Sequence, residues 1–173
     1  MASIVLTVVG DDRAGIVHSI AETVSAHGGN WERSELAELA GAFAGIVLVS
    51  VPAERLDELT SSLRGLDGLL SIALRSGGAV PASVHGPVLT FRVIGNDRPG
   101  IVRDITNALT GCGLTIDQFS SRTVEAPMAG GLLFDATVVA RGPGAEALAE
   151  ASAALERLAG EIQVDVSVAV ATP

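Results

Sequence analysis

The sequence predicts an α+β chain in which one small module is built twice, and three features carry that expectation. The stretch Val8-Val9-Gly10-Asp11-Asp12-Arg13-Ala14-Gly15-Ile16-Val17 returns as Val93-Ile94-Gly95-Asn96-Asp97-Arg98-Pro99-Gly100-Ile101-Val102, identical at seven of ten positions with an offset of 85. Ile20 and Ile105, then Gly28 and Gly113, keep the same offset. Around each copy the apolar spacing reads strand, helix, strand, strand, helix, strand.

In the first copy, Ile4 to Val9 is a short run rich in β-branched residues, closed by Gly10, which is a strand signal. Ile16, Val17, Ile20, Ala21 and Val24 fall on one helical face, and Gly28 ends that helix as a C′ glycine does. Strands are expected at about Asn30 to Leu39 and Ala42 to Val51, a second helix through Leu56, Leu59, Leu63 and Leu66, and a last strand from Leu69 to Arg75. The second copy repeats the order. Val88 to Ile94 is closed by Gly95, and Ile101, Val102, Ile105, Ala108, Leu109 and Cys112 mark a helix ended by Gly113. Strands follow at about Leu114 to Val124 and Gly131 to Ala140, then a helix through Leu148, Ala151, Leu155 and Leu158, and a strand from Ile162 to Val170.

The order β-α-β-β-α-β predicts an antiparallel four-stranded sheet with both helices on one face, a ferredoxin-like unit. The modules are expected over residues 1–76 and 88–173, and the Gly-, Pro- and Ser-rich stretch 77–87 has the composition of a linker. Ile4-Val5-Leu6 and Ile46-Val47-Leu48-Val49 are apolar at successive positions, hence on both sheet faces. The helix-free face is therefore expected to be covered by the sister module or by a second copy of the chain.

Composition narrows the function. Of 173 residues, 20 are acidic and 11 basic, and every base is an arginine. Without lysine there is no Schiff base and no phosphate-loop lysine. A net charge of −9, with ten acids against five arginines in residues 1–86 and ten against six in the remainder, leaves no basic arm for nucleic acid. Cys112 is the only cysteine, so neither an internal disulfide nor a thiolate zinc cluster can form, and a cytoplasmic location is expected. Mean hydropathy is high, +0.47, but the longest uncharged apolar stretch, Leu39 to Ala53, is broken by Gly41, Gly45, Ser50 and Pro52. It falls short of the roughly 18 to 20 residues of a spanning helix, so no membrane role is expected. Met1-Ala2-Ser3-Ile4-Val5 has no basic region before an apolar one and reads as a strand rather than a signal peptide.

The repeated Gly-Asp-Asp-Arg-Ala-Gly-Ile-Val and Gly-Asn-Asp-Arg-Pro-Gly-Ile-Val resemble the first strand-to-helix turn of ACT domains, small regulatory modules that bind amino acids. Two such modules with no catalytic domain attached are similar to the glycine cleavage system transcriptional repressor family. The resemblance implies a tandem ACT architecture over nearly the whole chain and a small amino acid as ligand, with glycine or serine the first to try.

The residues of the turn give the same chemistry in physical terms. Gly10 and Gly95 leave space above the turn, Asp12 and Asp97 are placed to cap the following helix, and Pro99 is tolerated in a first helical turn. Unpaired N–H groups and the positive dipole end at a helix start suit the carboxylate of an amino acid. Asp11 or Asp12 can hold its ammonium group. The candidate seat in the first copy is Gly10, Asp11, Asp12, Arg13, Ala14 and Gly15, and in the second Gly95, Asn96, Asp97, Arg98, Pro99 and Gly100. The resemblance adds a polar residue at the start of the second strand, Asn30 in the first copy; the second copy departs with Thr115, near Asp117.

Other residues have plainer readings. Asp11 beside Asp12 fits a cap and a dipole partner better than an acid/base or metal pair. Arg13 and Arg98 fit solvated residues, salt bridges or partners of a ligand carboxylate. His18 is expected at the surface, His27 against the carbonyl end of its helix, and His85 in the linker, which argues against a histidine metal site. Cys112 and Trp31 fit packing roles, Trp31 alternatively walling a pocket. The loop around Met128 is longer than its counterpart at Gly41 to Gly45. The expected function is an amino-acid-binding regulator, a homodimer acting on a protein partner, with no cofactor, no metal, no catalysis and no direct grip on DNA. The competing reading is a structural or dimerisation module whose pockets are vestigial.

Overall fold

A computed structural model describes residues 1–66, 70–77, 86–126, 131–162 and 164–170, with the backbone alone for 159–162 and 164–170. The chain divides into two compact units, Met1–Ala79 and Val80–Pro173. Most of the expected linker, including His85, and the loop residue Met128 lie outside the described residues.

The first unit runs β1 (Ala2–Asp11), α1 (Ile16–Ala26), β2 (Asn30–Leu39), β3 (Ala42–Val51), a single 3-10 turn (Ala53–Arg55), α2 (Leu56–Arg64) and β4 (Ser71–Ser76). The second runs β5 (Val88–Asn96), α3 (Ile101–Gly111), β6 (Thr115–Glu125), β7 (Leu132–Arg141), α4 (Ala145–Ile162) and β8 (Val164–Val170). Both sheets are antiparallel, in the orders β2-β3-β1-β4 and β6-β7-β5-β8. This is the expected α+β, ferredoxin-like βαββαβ module, twice.

The elements follow from local chemistry. In β1, Ile4, Leu6 and Val8 alternate with more exposed neighbours and face the helices, where they join Ile16, Ile20 and Val24 of α1, Val47, Val49 and Val51 of β3, and Leu59 and Leu63 of α2. The second core repeats this with Phe91 and Val93, Ile105 and Leu109, Ala136 and Val138, and Ala151 and Leu155. Leu39 and Ala42 pair across a two-residue loop, Ala40-Gly41, whose φ values of 53° and 83° are those a type I′ hairpin demands. At Gly45 a Cβ would collide with the Glu35 carbonyl oxygen, so β2 approaches β3 there only because a side chain is missing. The two copies even share an irregularity: the register shifts between Trp31 and Arg33 and again between Ile116 and Gln118.

Several boundaries differ from expectation. β1 and β5 do not stop at Gly10 and Gly95 but continue to Asp11 and Asn96, because Gly10 pairs with Phe43 and Gly95 with Phe134. Val17 and Val102 leave the apolar helix face, each 42% exposed, since they stand one residue past Ile16 and Ile101, which occupy the core. The last strand of the first module begins at Ser71, with 67–69 outside the described residues, and Ile162 closes α4 rather than opening β8. Val5, Thr7, Val9, Ile46 and Leu48 point to the helix-free side of the first sheet, with Val9 and Ile46 about half exposed.

Candidate functional site

The turns between β1 and α1 and between β5 and α3 begin as extensions of their sheets. Asp12 donates its N–H to the Gly41 carbonyl at 2.8 Å, and Asp97 donates to Leu132 at 2.9 Å. Both aspartates therefore remain committed to the neighbouring strand, and neither caps a helix. The caps are Gly15 and Gly100, at φ 89° and 87°, and no side chain bonds the helix start. Only glycine enters this left-handed region without strain, which is why it recurs at both positions. Pro99 consequently precedes the cap rather than sitting in the first turn.

In the first module the turn borders a cavity of about 100 Å³ lined by Arg13, Ala14, Gly15, Ile16, Ser19, Leu66 and Leu70. One water needs only about 10–15 Å³, so the space admits a small solute. Gly15 accepts the first full helical bond, from Ser19 N–H at 2.9 Å; Ile16 N–H reaches the Arg13 carbonyl at 3.4 Å, and the N–H groups of Val17 and His18 have no carbonyl within the helix. Arg13 stays about half exposed and 3.6 Å from Asp11. Arg13 and the start of α1 thus border this opening, whereas Gly10, Asp11 and Asp12 are not among its lining residues.

The second turn is drawn together by its own side chains. Asp104, the counterpart of Ser19 at the offset of 85, accepts from Arg98 Nη2 at 2.6 Å on one oxygen and from Arg103 Nε and Nη2, both at 3.1 Å, on the other. These hydrogen bonds, from Arg98 first and Arg103 next, hold the Asp104 carboxyl below its ordinary range against the opposing effect of burial. Arg98 also reaches the Pro99 carbonyl at 3.4 Å, and Arg103 lies over Gly100.

Asn30 is not beside the turn of its own module. It opposes Ser50, which opposes Ser3 at the far end of β1. Seven residues of strand separate Ser3 from Gly10, about 23 Å. Thr115 likewise stands at the end of β6, opposite Arg141, whose guanidinium binds Asp117 at 2.7 Å.

The remaining candidates have structural partners. His27 at the C-terminus of α1 bonds the Thr23 carbonyl through Nδ1 at 2.8 Å, and its Nε2 is 3.1 Å from Ser62 Oγ on α2, so it ties the two helices together. His18 is exposed and 3.8 Å from Glu22. Cys112 and Trp31 are half-buried and packed against the second and first cores. Among the described residues no group of three His, Cys, Asp or Glu could hold a metal, and no helix is long and apolar enough to cross a membrane. Sequence reasoning missed Ser19, Leu66 and Leu70 at the first turn and Asp104 at the second. The one available signal lay just past the repeated ten residues, where Ser19 and Asp104 stand at matching positions before Ile20 and Ile105.

The sequence pattern of the ACT domain family matches residues 2–75, the whole of the first module, and the second module repeats its motif and topology. The first module thus matches the ACT domain, and the chain as a whole is similar to tandem ACT-domain proteins. The particular protein it resembles is the glycine cleavage system transcriptional repressor: that of Escherichia coli (strain K12) is 29% identical over 169 residues, spanning 96% of this chain and 89% of that protein. A solved structure of an unknown protein from Galdieria sulphuraria is 32% identical, covers 99% of both chains and superposes with a TM-score of 0.87. Another, assigned provisionally as a glycine cleavage system transcriptional repressor, shares the fold with a TM-score of 0.71 at 19% identity over 99% of this chain and 98% of that one.

Proposed function

We propose that this protein is a cytoplasmic amino-acid sensor that regulates a protein partner and, through it, transcription. The observation that carries the reading is the opening at the first turn, where Arg13, Gly15 and Ser19 border a cavity sized for a small solute. A zwitterion fits its chemistry. The ligand carboxylate takes the N–H groups at the start of α1 and the Arg13 guanidinium, and its ammonium takes Asp11 or Asp12. Small volume favours glycine or serine, which agrees with the relative's association with glycine cleavage.

Asn30 enters this scheme only from a second copy of the chain, since its own turn is a sheet length away. Its amide donates and accepts together, as a zwitterion needs, so a ligand touching both is held at an interface that the expected homodimer supplies. Ligand then regulates by favouring the arrangement it bridges, and only to the extent that it binds that arrangement more tightly. The acidic chain acts without gripping DNA. No nucleophile and base are brought together at either turn, and we assign no catalysis.

The second reading, a dimerisation module with vestigial pockets, is favoured by one observation, the self-filled turn at Asp104. Thermal-shift measurements across the twenty common amino acids separate the two, because a ligand at 100 times its Kd stabilises the folded state by about 2.7 kcal/mol. Calorimetry on any hit with Asn30→Ala tests the site. A flat screen selects the dimerisation module, and unchanged affinity in Asn30→Ala removes Asn30 from the site.

A further inference from the structure

We propose that the helix-free face of the second sheet carries a separate binding site for a small solute with a doubly charged oxyanion head, formed by Arg92, Arg122, Ser120 and Thr137 around Asp135. A depression of about 310 Å³ lies there, lined by these residues and Ser121. That volume is at the lower end of small-molecule sites, which run from about 300 to 1,000 Å³.

The floor is Asp135, only 13% exposed and in the middle of β7. Its register partner on β6 is Arg122, whose Nε and Nη2 donate to Oδ2 at 3.1 and 2.8 Å. Arg92 on β5 donates from Nε to Oδ1 at 3.4 Å. Both carboxylate oxygens are thus occupied, and they hold two guanidinium groups, 54% and 70% exposed, at one place. Two positive charges against one negative leave a surplus cation in a chain whose net charge is −9. The Nη groups of Arg92 and Nη1 of Arg122 have no partner among the described residues, and Ser120 stands opposite Thr137 beside them. Planar forked donors flanked by hydroxyls match phosphate or paired carboxylates.

The fold itself does not require this cluster. Registering the sheets on Gly10–Phe43 and Gly95–Phe134 puts Thr7, Ala44 and Ala37 of the first module at the positions of Arg92, Asp135 and Arg122. The same sheet therefore closes with small uncharged residues there. The site lies on the sheet face and shares no residue with the candidate amino-acid seats at the turns.

The test is a titration of the full chain at fixed ionic strength with inorganic phosphate, glycerol 3-phosphate and malonate, following arginine Nε–H NMR signals with calorimetry in parallel. Saturable shifts of the Arg92 and Arg122 signals are expected, with affinity weakened about tenfold or more in Arg92→Gln and unchanged in Arg64→Gln on α2. Preference for the phosphates or for malonate identifies the source of the oxyanion. Thr137→Val, which keeps every charge, is expected to weaken binding to a smaller degree and serves if Arg92→Gln does not fold. Absence of saturation with all three solutes up to about 10 mM, or full affinity in folded Arg92→Gln, overturns the proposal.

Discussion

Ser19 and Asp104 occupy equivalent positions one turn into α1 and α3, yet only Asp104 reaches back to the preceding turn, 2.6 Å from Arg98 Nη2. One side chain thus separates an open turn from a closed one. Ser19→Asp is expected to draw Arg13 inward, fill the cavity and abolish amino-acid binding at the first turn, with little change in the melting temperature because the new ion pair is solvent-facing. Calorimetry with the amino acid found by thermal shift checks it; retained affinity would show that ligand does not use this cavity.

The same pair of turns makes a prediction about glycine. At Gly15 an added Cβ meets nothing within 4 Å, so Gly15→Ala is opposed only by φ 89°, a cost of about 1–2 kcal/mol. At Gly100, with φ 87°, the new Cβ also meets Arg103 Nη2 at 3.2 Å. That atom ends a flexible side chain and can withdraw, but withdrawal disturbs its bonds to Asp104. Denaturant titration of both variants is expected to show similar losses, while only Gly100→Ala alters the Arg103 NMR signal.

The sheet and its hairpins were legible because the punctuation is local. Gly28-Gly29 and Ala40-Gly41 bracket β2, whose bounds and those of β3 fall where the apolar pattern put them. Asp12 misled for a physical reason: it has the chemistry of a cap, but its N–H is claimed by Gly41 from across the sheet, a partner that sequence spacing does not reveal. The site was legible only as a turn. Closure of the second turn depends on Asp104 meeting Arg98, and the Arg92, Arg122 and Asp135 cluster gathers residues from three strands, so neither forms a motif.

Core truncation should show whether the modules fold as independent units. Ile20 and Ile105 are fully buried at matching positions, so Ile20→Ala and Ile105→Ala are each expected to cost about 2–5 kcal/mol. Because the chain forms two compact units with separate cores, each substitution should lower one of two unfolding transitions and spare the other. Urea titration monitored at Trp31, which packs on the first core, reports the first module directly. A fluorescence transition shifted equally by both variants would mean the modules unfold as one.

Acid should act on the second module through Asp104 and Asp135. Both carboxyls are held below the ordinary value of 3.8 by hydrogen bonds from paired arginines, Arg98 and Arg103 in one case and Arg122 and Arg92 in the other. A carboxyl whose folded pKa is depressed binds fewer protons folded than unfolded through this range, so its contribution is complete above the unfolded value. That contribution fades as pH falls through about 4 toward the lower folded value. Melting temperatures of the second transition, measured from pH 7 to pH 2, should therefore decline more steeply in the wild type than in the double variant Asp104→Asn, Asp135→Asn. Near pH 7 the variant melts lower, and the two curves converge in acid once the wild-type carboxyls are protonated. Parallel curves across the whole range would mean that folding does not lower the pKa of either carboxyl.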